Sequence, residues 1–550
     1  MLESYGLPHY SQTVEIRHRL IGYIHKKCGK IFFSSKKREF CPHCRKNGQI
    51  EKVSLVRAGV INSISINREK KKEKWIGNTA VGIVEVEIDE KKVRFPTEFS
   101  DIIIPNDIPF LPKKWINQAV EPTARILDHN PEGAIYYGIK FRPVLISREI
   151  QFPFLDKLIK SEKPGISSIG VSLPRYRTTA EEITHAFQLN PNYIKKGLGV
   201  EEVSVPAWDQ DTGTFAIDAA MDAVTRLPKE FIKTIGMIVV GTESKPYSVK
   251  PTATNVQSFL GIDDDIICYD AEFACIAAGM QIKSAIALIR SGEIDSALII
   301  GADVSQGKPG DPLDLDTGAG GACFVISKYN VILEYIGMHY SVGDHPDFLR
   351  RAGSSYPTHG FNFTGSPSYF RYQESAVKKI FLKYNINPDQ IKAATFHQPN
   401  YNFLRKEVKK FGLDQESRLK KELKPCIIGD PVRKIGNTYS AATMLGIAAI
   451  VNEPIHYFNE IDEAIAAKLG FENPRKPTLK LEPKDIILAG WYGSGAAGGC
   501  VLFKVTNNYP YYSECTIPFS RNLTKVDVIG GKKYVSLLTR YFHKGMIKEH

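Results

Sequence analysis

The feature that most constrains the fold is an alternation of apolar strand-like segments with helical segments, which begins at Gly165 and recurs from about residue 331. The strand-like segments include IGMIVVGTE and SALIIGADVS in the first round, and AATFHQP and DIILAGWYG in the second. Strands that alternate with helices predict an α/β fold with parallel crossovers. Two comparable rounds predict a pseudo-duplicated core, with one half at 165–330 and the other at 331–505. The helical segments are expected near 251–260, 276–291, 369–385, 400–412 and 440–452.

The segment before this core has a different character. Residues 1–50 contain a short helical lead-in followed by His25-Lys-Lys-Cys28 and Cys41-Pro-His-Cys44. Two such knuckles, each with two residues between its ligands, are typical of a tetrahedral zinc ribbon. The predicted ligands are His25, Cys28, Cys41 and Cys44, and the closed set indicates a structural Zn²⁺ site. The alternative is three free cysteines beside a chance histidine, or a ribbon that has lost its metal.

Residues 51–150 carry short β-type runs, such as AVGIVEVEI and KVRFPTEF, with few helix signals. This pattern predicts a small all-β barrel. The C-terminal residues 506–550 form a basic, strand-poor tail without an interpretable motif.

The charge is concentrated near the N-terminus. The net charge is +12, and residues 1–150 hold 26 Lys and Arg against 17 Asp and Glu, an excess of 9. The run at 68–74 is either a solvated hairpin tip or an anion-binding surface. Because no aromatic-interleaved basic motif accompanies it, nucleic acid is not an expected partner.

Composition and leader signals favour a cytoplasmic protein. Hydrophobic residues make up 43% of the chain and charged residues 24%, as in ordinary globular proteins. No run of about 18 uncharged apolar residues occurs, so no membrane partner is expected. The start, MLESYGLPHYSQ, lacks the pattern of a secretory signal. Nine thinly spread cysteines fit a reducing compartment.

Three polar residues stand at strand–helix junctions. Cys275, in DAEFACIAAG, precedes a long Ala/Ile-rich helical segment whose N-terminal dipole favours a thiolate. His397 follows the strand AATF, and Asn437 precedes an Ala-rich helical segment. Polar residues at strand ends face the crevice where α/β folds bind ligands. Each residue alone could be structural, but the three together indicate an acyl-transfer site.

Residues 165–505 resemble the thiolase superfamily, and within it the archaeal type of 3-hydroxy-3-methylglutaryl-CoA synthase. The motifs that carry the resemblance are GTESKPYSVKP, DAEFACIAAG, GADVSQGKPGD, HGFNFTG, FHQPN, GNTYSAATMLG and YGSGAAGG. The resemblance implies a thiolase-like α-β-α-β-α layered fold and, usually, a homodimer or a higher homo-oligomer. Residues 20–145 resemble the zinc-ribbon/OB-fold proteins that accompany thiolase-type enzymes, which implies an OB-fold barrel and an acetoacetyl-CoA thiolase as partner.

The resemblance also implies the chemistry. Acetyl-CoA would acetylate Cys275, and Glu243 would act as the acid/base of condensation with acetoacetyl-CoA. His397, supported by Asn437, would orient the second substrate. The product would be 3-hydroxy-3-methylglutaryl-CoA, in the mevalonate route to isoprenoids. The substrate-binding residues implied by the match are Ser305, Thr364, Ser494 and Lys406.

The sequence departs from the family at two positions where a basic residue is usual, because Asn362 and Asn402 stand there. Lys406 and Arg405 lie nearby and could compensate for the lost contacts to coenzyme A. Two alternatives stay open: a ketoacyl synthase-like enzyme with another acyl donor or carrier, and a scaffold that channels the product of a thiolase.

Overall fold

The computed structural model describes residues 16–34, 38–67, 79–102, 104, 113–129, 133–144, 155–360, 364–523 and 527–528. The basic run at 68–74, most of the N-terminal lead-in and Asn362 lie outside these residues. The chain divides into two units: Met1–Glu149 with Ser258–Gly261, and Ile150–Gln257 with Ile262–His550.

The first unit begins with a small antiparallel sheet of order β2-β1-β3. Tyr23 and Phe32 lie opposite each other on paired strands, and their ring centroids are 5.9 Å apart. Together with Cys41 they form a small buried core. A helical turn at 16–19 precedes the sheet. Its strands are β1 (Ile21–His25), β2 (Ile31–Phe33) and β3 (Ile50–Ser54).

Five further strands close into a barrel of order β4-β5-β6-β8-β7. Strand β6 shows why the sequence folds in this way, because Val93 and Phe95 are buried while Lys92 and Arg94 between and beside them are exposed. This period of two gives β6 one buried apolar face and one exposed charged face. A 3₁₀ turn at Lys113–Trp115 precedes β7. The barrel strands are β4 (Gly59–Asn67), β5 (Thr79–Ile88), β6 (Lys91–Phe99), β7 (Ala119–His129) and β8 (Ile135–Pro143).

The second unit is built on a ten-stranded mixed sheet of order β13-β12-β14-β15-β9-β16-β24-β23-β19-β20. Each half contributes five strands. When the strands of a half are numbered by their order along the chain, their order from the outer edge of the sheet to its centre is 3-2-4-5-1 in both halves. The first half holds β9 (Lys160–Ser172), β12 (Ile235–Gly241), β13 (Ile267–Ala271), β14 (Ser296–Val304) and β15 (Ala319–Tyr329). The second half holds β16 (Leu333–His345), β19 (Ile391–Phe396), β20 (Ile427–Ile428), β23 (Ile486–Gly493) and β24 (Gly495–Val505).

Short strands lie outside the main sheet. They are β10 (Tyr176–Thr179), β11 (Glu202–Val205), β17 (Phe348–Leu349), β18 (Thr358–His359), β21 (His456–Tyr457), β22 (Thr478–Leu479) and β25 (Asp527–Val528).

The helices of the second unit cover the sheet, and one lies deep inside. Ala442–Val451 packs against strands of both halves and is buried on nearly every side, as its uniformly apolar sequence requires. The α-helices are α1 (Ala180–Phe187), α2 (Thr212–Val224), α3 (Ala253–Leu260), α4 (Ala277–Ser291), α5 (Phe370–Tyr384), α6 (Tyr401–Lys410), α7 (Gln415–Lys420), α8 (Val432–Ile435), α9 (Ala442–Val451), α10 (Glu463–Lys468), α11 (Tyr509–Cys515) and α12 (Phe519–Asn522). The 3₁₀ and π turns are Tyr193–Leu198, Lys229–Thr234, Ala274–Ile276, Thr364–Tyr369, Pro388–Gln390 and Tyr439–Ala441.

The described part of the C-terminal segment, residues 506–523, packs into the second unit, although the sequence offered no interpretation for it. Helix α11 buries Tyr512, whose hydroxyl lies 3.1 Å from the Ile169 amide of β9 and 3.1 Å from Asn452 Oδ1. Within the described part of the chain, no helix combines the length and apolar character needed to cross a membrane.

Candidate active site

Cys275 lies in the single 3₁₀ turn Ala274–Ile276, between strand β13 and helix α4. Ala274 takes a left-handed backbone conformation, with φ of 44°, to turn the chain. Gly493 at the end of β23 lies against this turn, and a Cβ there would come within 2.6 Å of the Phe273 carbonyl oxygen. The predicted position of Cys275 just before a helix N-terminus is therefore confirmed.

Glu243 follows strand β12 and reaches the same point. The Cys275 thiol donates a hydrogen bond to Glu243 Oε1, with 2.8 Å between sulfur and oxygen. Cys275 is buried, with 6% of its surface exposed. The structure thus joins the expected nucleophile and the expected acid/base directly.

Asp303, at the end of β14, holds this part of the site together. Its Oδ1 accepts hydrogen bonds from the Thr242 hydroxyl, from the amides of Glu243 and Ser244, and from the Ser244 hydroxyl. Its Oδ2 accepts from the Ser440 amide, 137 residues along the chain. One buried carboxylate therefore fixes the backbone at Glu243 and the turn that starts α9.

The acids around Cys275 decide its protonation. Burial raises the pKa of the Cys275 thiol well above its usual value, and the neighbouring charges of Glu243, Asp303 and Asp347 raise it further. Burial and the Asp303 charge raise the pKa of Glu243 to about 8. Burial and these acids act against the thiolate that the helix N-terminus favours. The thiol keeps its proton, and Glu243 in its ionised form, the minority form at neutral pH for a pKa of about 8, is the group placed to receive that proton.

Asn437 stands before the turn that leads into α9, as expected. Its Oδ1 accepts from the Tyr439 amide at 3.0 Å, so the side-chain amide N–H groups point away from that bond. Its backbone is held at both ends, because its amide donates to the Asp316 carbonyl and its carbonyl accepts from Ser305 Oγ at 2.6 Å. Ser305, one of the predicted substrate-binding residues, is buried and lies beneath Asn437.

His397 follows β19 and is 2% exposed. Burial lowers the pKa of His397 to about 3, so the imidazole is neutral at physiological pH. Its Nδ1 has no hydrogen-bond partner among the described residues. Tyr369 donates to the His397 carbonyl and packs against Tyr492, with ring centroids 5.2 Å apart.

Asp347 links this aromatic group to the nucleophile. Its Oδ2 accepts from Tyr492 Oη at 2.6 Å and from Ser494 Oγ at 3.2 Å, and its Oδ1 accepts from the Gly495 amide. The charge of Asp347 raises the pKa of the Cys275 thiol. The charge of Cys275 in turn contributes to the raised pKa of the Tyr492 hydroxyl. The predicted residue Ser494 is therefore part of the same polar group.

The other predicted substrate contacts lie further out. Lys406 is exposed on α6. Asn402, one of the two departures from the family, donates to the carbonyls of Lys196 and Gly197. Thr364 begins the turn Thr364–Tyr369, but its side chain, like Asn362, lies outside the described residues.

The sequence missed four residues that the structure brings to this site: Asp303, Asp347, Tyr439 and Arg350. Asp303 lies inside GADVSQGKPGD, and Tyr439 inside GNTYSAATMLG, but neither motif showed what the residue contacts. The hydrogen bonds of the Asp303 carboxylate and the Tyr439 hydroxyl reach residues 59 or more positions away, so no local spacing could reveal them.

The first unit holds a separate cluster, in which His25, Cys28, Cys41 and Cys44 place one ligand atom each within 4.8 Å of one another. His25 Nδ1 lies 3.1 Å from Cys28 Sγ and 3.4 Å from Cys44 Sγ, and the sulfurs of Cys28 and Cys41 are 3.7 Å apart. Zn–S bonds of about 2.3 Å at tetrahedral angles separate two sulfurs by about 3.8 Å. The separation of the Cys28 and Cys41 sulfurs matches this value, and the four predicted ligand atoms lie close enough together to share one ion.

Comparison with known proteins decides the family. No protein-family model matches the chain. A hydroxymethylglutaryl-CoA synthase of Methanopyrus kandleri is 39% identical over 349 residues, 64% of this chain and 89% of the relative. One of Methanothermobacter thermautotrophicus is 36% identical and is covered over 99% of its length by 70% of this chain. The chain belongs to the hydroxymethylglutaryl-CoA synthase family.

Solved structures of hydroxymethylglutaryl-CoA synthases share the fold. An HMG-CoA synthase complexed with CoA has a TM-score of 0.55 at 20% identity, over 68% of this chain and 90% of its own. MvaS in complex with 3-hydroxy-3-methylglutaryl coenzyme A has a TM-score of 0.57 at 20% identity, over 70% and 92%. The expected thiolase-like α/β core is confirmed. The expected activity is confirmed as well: as a hydroxymethylglutaryl-CoA synthase, the chain is an acyltransferase that condenses acetyl-CoA with acetoacetyl-CoA in the mevalonate pathway.

Proposed function

We propose that this chain carries out the synthase reaction with Cys275 as nucleophile and Glu243 as the general acid/base. The observation that carries this proposal is the 2.8 Å hydrogen bond from the buried thiol to Glu243 Oε1. A nucleophile in hydrogen-bond contact with its base is the usual arrangement in covalent catalysis. A glutamate with a pKa near 8 exchanges protons readily near neutral pH.

The first step is acetylation. Glu243 takes the thiol proton, and the Cys275 sulfur attacks the carbonyl of acetyl-CoA. Coenzyme A then leaves with a proton, and an acetyl thioester stays on Cys275. The amides at the start of α4 and in the turn after Gly493 would hold the oxyanion that develops on the carbonyl.

The second step forms the carbon–carbon bond. Glu243 removes a proton from the acetyl methyl group, and the resulting carbanion attacks C3 of acetoacetyl-CoA. His397 is neutral, so it would donate a hydrogen bond to the 3-carbonyl rather than supply a positive charge. The free amide N–H groups of Asn437 would support the same oxygen. Water then hydrolyses the thioester on Cys275 and releases the product.

Coenzyme A recognition is proposed for Ser305, Thr364, Ser494 and Lys406. Ser305 would act through Asn437, whose carbonyl it holds. Since Asn402 is occupied with backbone carbonyls, Lys406 and Arg405 on the exposed side of α6 are the cations available to a phosphate there.

The test separates acetylation from condensation. Glu243→Gln should still acquire an acetyl group on Cys275 when acetyl-CoA is supplied, although slowly, and should not consume acetoacetyl-CoA. Cys275→Ala should do neither. Intact-protein mass spectrometry and the loss of acetoacetyl-CoA absorbance provide the two readouts. Condensation by Glu243→Gln at the wild-type rate would refute the assigned role.

A carrier-bound acyl donor is the second candidate, because the basic residues usual at Asn362 and Asn402 are absent. One structural neighbour is the Curacin pathway HMG synthase in complex with holo donor-ACP, with a TM-score of 0.57 at 18% identity. Acetyl-CoA and an acetyl carrier protein should therefore be compared as donors. Faster acetylation of Cys275 by the carrier would favour this alternative.

For the first unit we propose a Cys₃His zinc ribbon and an OB-fold barrel that dock an acetoacetyl-CoA thiolase. The spacing of the four ligands and the closed five-stranded barrel support this assignment. The same docking could serve a scaffold that channels the thiolase product, and co-purification with a thiolase would test it.

A homodimer is proposed because β13, half-exposed, forms the edge of the large sheet and is open to pairing. A cytoplasmic location is proposed because none of the nine cysteines, all of which lie in the described residues, forms a disulfide.

A further inference from the structure

Arg350 places a guanidinium at the edge of the Cys275–Glu243 pair. It follows the short strand β17, which pairs with β18. Its Nη2 donates to the Glu243 carbonyl oxygen at 3.3 Å, and its Nη1 donates to Gln306 Oε1. The side chain is exposed, and no carboxylate of the described residues lies within 4.0 Å to form an ion pair with it.

Both anchors of Arg350 belong to the reacting group of residues. The Gln306 carbonyl accepts from Tyr439 Oη at 2.8 Å, and the Gln306 amide donates back to that oxygen. Tyr439 is buried, and the charges of Glu243 and Cys275 raise its pKa. Arg350 in turn favours the ionised form of Glu243. The guanidinium is therefore held beside the site by neutral acceptors, with its other N–H groups unused by the contacts described.

The last step of the proposed reaction creates an anion from the acyl group on Cys275, whose thiol bonds to Glu243. Water attacks the carbonyl carbon bonded to Cys275 sulfur, the C–S bond breaks, and the sulfur leaves with a proton. The acyl carbon becomes a carboxylic acid, which loses its proton to give a carboxylate. A thiolase or a ketoacyl synthase makes no such group, because its product stays a thioester.

We propose that Arg350 binds the carboxylate end of 3-hydroxy-3-methylglutaryl-CoA and so favours hydrolysis and product release. This inference rests on the proposed function. Arginine suits the task because its planar fork pairs with carboxylates in two parallel hydrogen bonds. The phosphates of coenzyme A offer the same chemistry, but the pantetheine arm separates them from the reacting carbon, whereas Arg350 contacts the residue that performs the reaction.

The experiment compares Arg350→Gln and Arg350→Lys with the matched control Arg351→Gln, its exposed neighbour. Acetylation of Cys275 by acetyl-CoA alone should stay within about twofold of wild type in Arg351→Gln. In Arg350→Gln, which also loses a charge that favours ionised Glu243, acetylation should slow by less than hydrolysis of the condensed adduct does. Arg350→Gln should accumulate the condensed adduct on Cys275 during turnover, detected by intact-protein mass. Inhibition by 3-hydroxy-3-methylglutaryl-CoA should weaken by about 10- to 100-fold, while inhibition by free coenzyme A should not change. Arg350→Lys should show part of this effect, and Arg351→Gln none.

Two results would overturn this inference and leave the proposed function intact. Equal weakening of inhibition by free coenzyme A would identify Arg350 as a phosphate contact. Wild-type turnover in Arg350→Gln, without an accumulated adduct, would show that the carboxylate needs no cation there. A wild-type protein that never acetylates Cys275 would overturn the proposed function itself, and this inference with it.

Discussion

At the scale of single residues, the second unit contains a buried acid that the mechanism does not use. Glu407 on α6 has 0% of its surface exposed, and neither carboxylate oxygen has a hydrogen-bond partner among the described residues. Burial raises the pKa of Glu407 to about 8, Glu374 acts in the same direction, and Lys410 opposes both. Since an ionised carboxylate is costly in such a place, Glu407 is protonated at neutral pH.

Glu407→Gln should therefore change how stability depends on pH. The folded-state pKa lies above the unfolded value near 4.5, so the folded protein binds one more proton between these pH values. Wild-type stability should fall progressively as pH rises from about 4.5 and should level off once pH has passed through about 8. The variant should therefore gain roughly 2–4 kcal/mol relative to wild type at pH 9 compared with pH 5. Urea unfolding at both pH values measures this difference. The exposed Glu482→Gln serves as control, and parallel curves for Glu407→Gln and wild type would contradict the prediction.

The positions of three expected site residues could be predicted from the local order of strands and helices. Cys275, His397 and Asn437 were found because each follows a strand or precedes a helix. The sequence could not show which acids surround the Cys275 thiol. The helix dipole can be read locally, whereas the opposing acids Asp303 and Asp347 arrive from 28 and 72 residues away and are visible only in the folded chain.

At the scale of secondary-structure elements, the long helices could be predicted closely. The segments expected near 276–291 and 369–385 are observed as Ala277–Ser291 and Phe370–Tyr384, because apolar periodicity and capping residues act within the segment. The π turn Tyr193–Leu198 and the short strand pair β17–β18 were not anticipated. Such elements depend on tertiary contacts, and they carry little periodicity of their own.

Gly493 lies where strand β23 packs closely against the turn that carries Cys275. A Cβ there would lie 2.5 Å from Ile276 Cγ2, so an alanine must push the turn of Cys275 away from β23. Gly493→Ala should slow acetylation of Cys275 by at least about tenfold, because small displacements of a nucleophile are costly. The rate of acetyl transfer measured by mass spectrometry tests this, with circular dichroism to verify folding.

The matched control is Gly197→Ala, where the nearest atom to an added Cβ is 3.9 Å away on an exposed turn. It should acetylate as fast as wild type. If Gly493→Ala were equally fast, the close packing of β23 on the nucleophile turn would have no part in catalysis.

At the scale of the whole molecule, the sequence predicts the duplication of the α/β core but does not show how its two halves join. Two α/β rounds were visible in the sequence, and the structure gives each the same strand order. The sequence could not reveal that the two sets of strands join into one sheet through β9 and β16. That pairing rests on two residue pairs, Leu333 with Ile166 and Glu334 with Gly165, and on no motif.

The division into two units predicts that zinc stabilises only one of them. The purified protein should contain about one zinc per chain, and Cys28→Ser or Cys44→Ser should abolish it, whereas Cys515→Ser should not. Because a structural site contributes its binding energy to local folding, removal of zinc with a chelator should raise hydrogen exchange in 21–54. Exchange in β12 and β14 should not change, since their packing lies within the second unit. Unchanged exchange at 21–54 after complete removal of zinc would show that the aromatic core of Tyr23 and Phe32 holds this sheet without a metal.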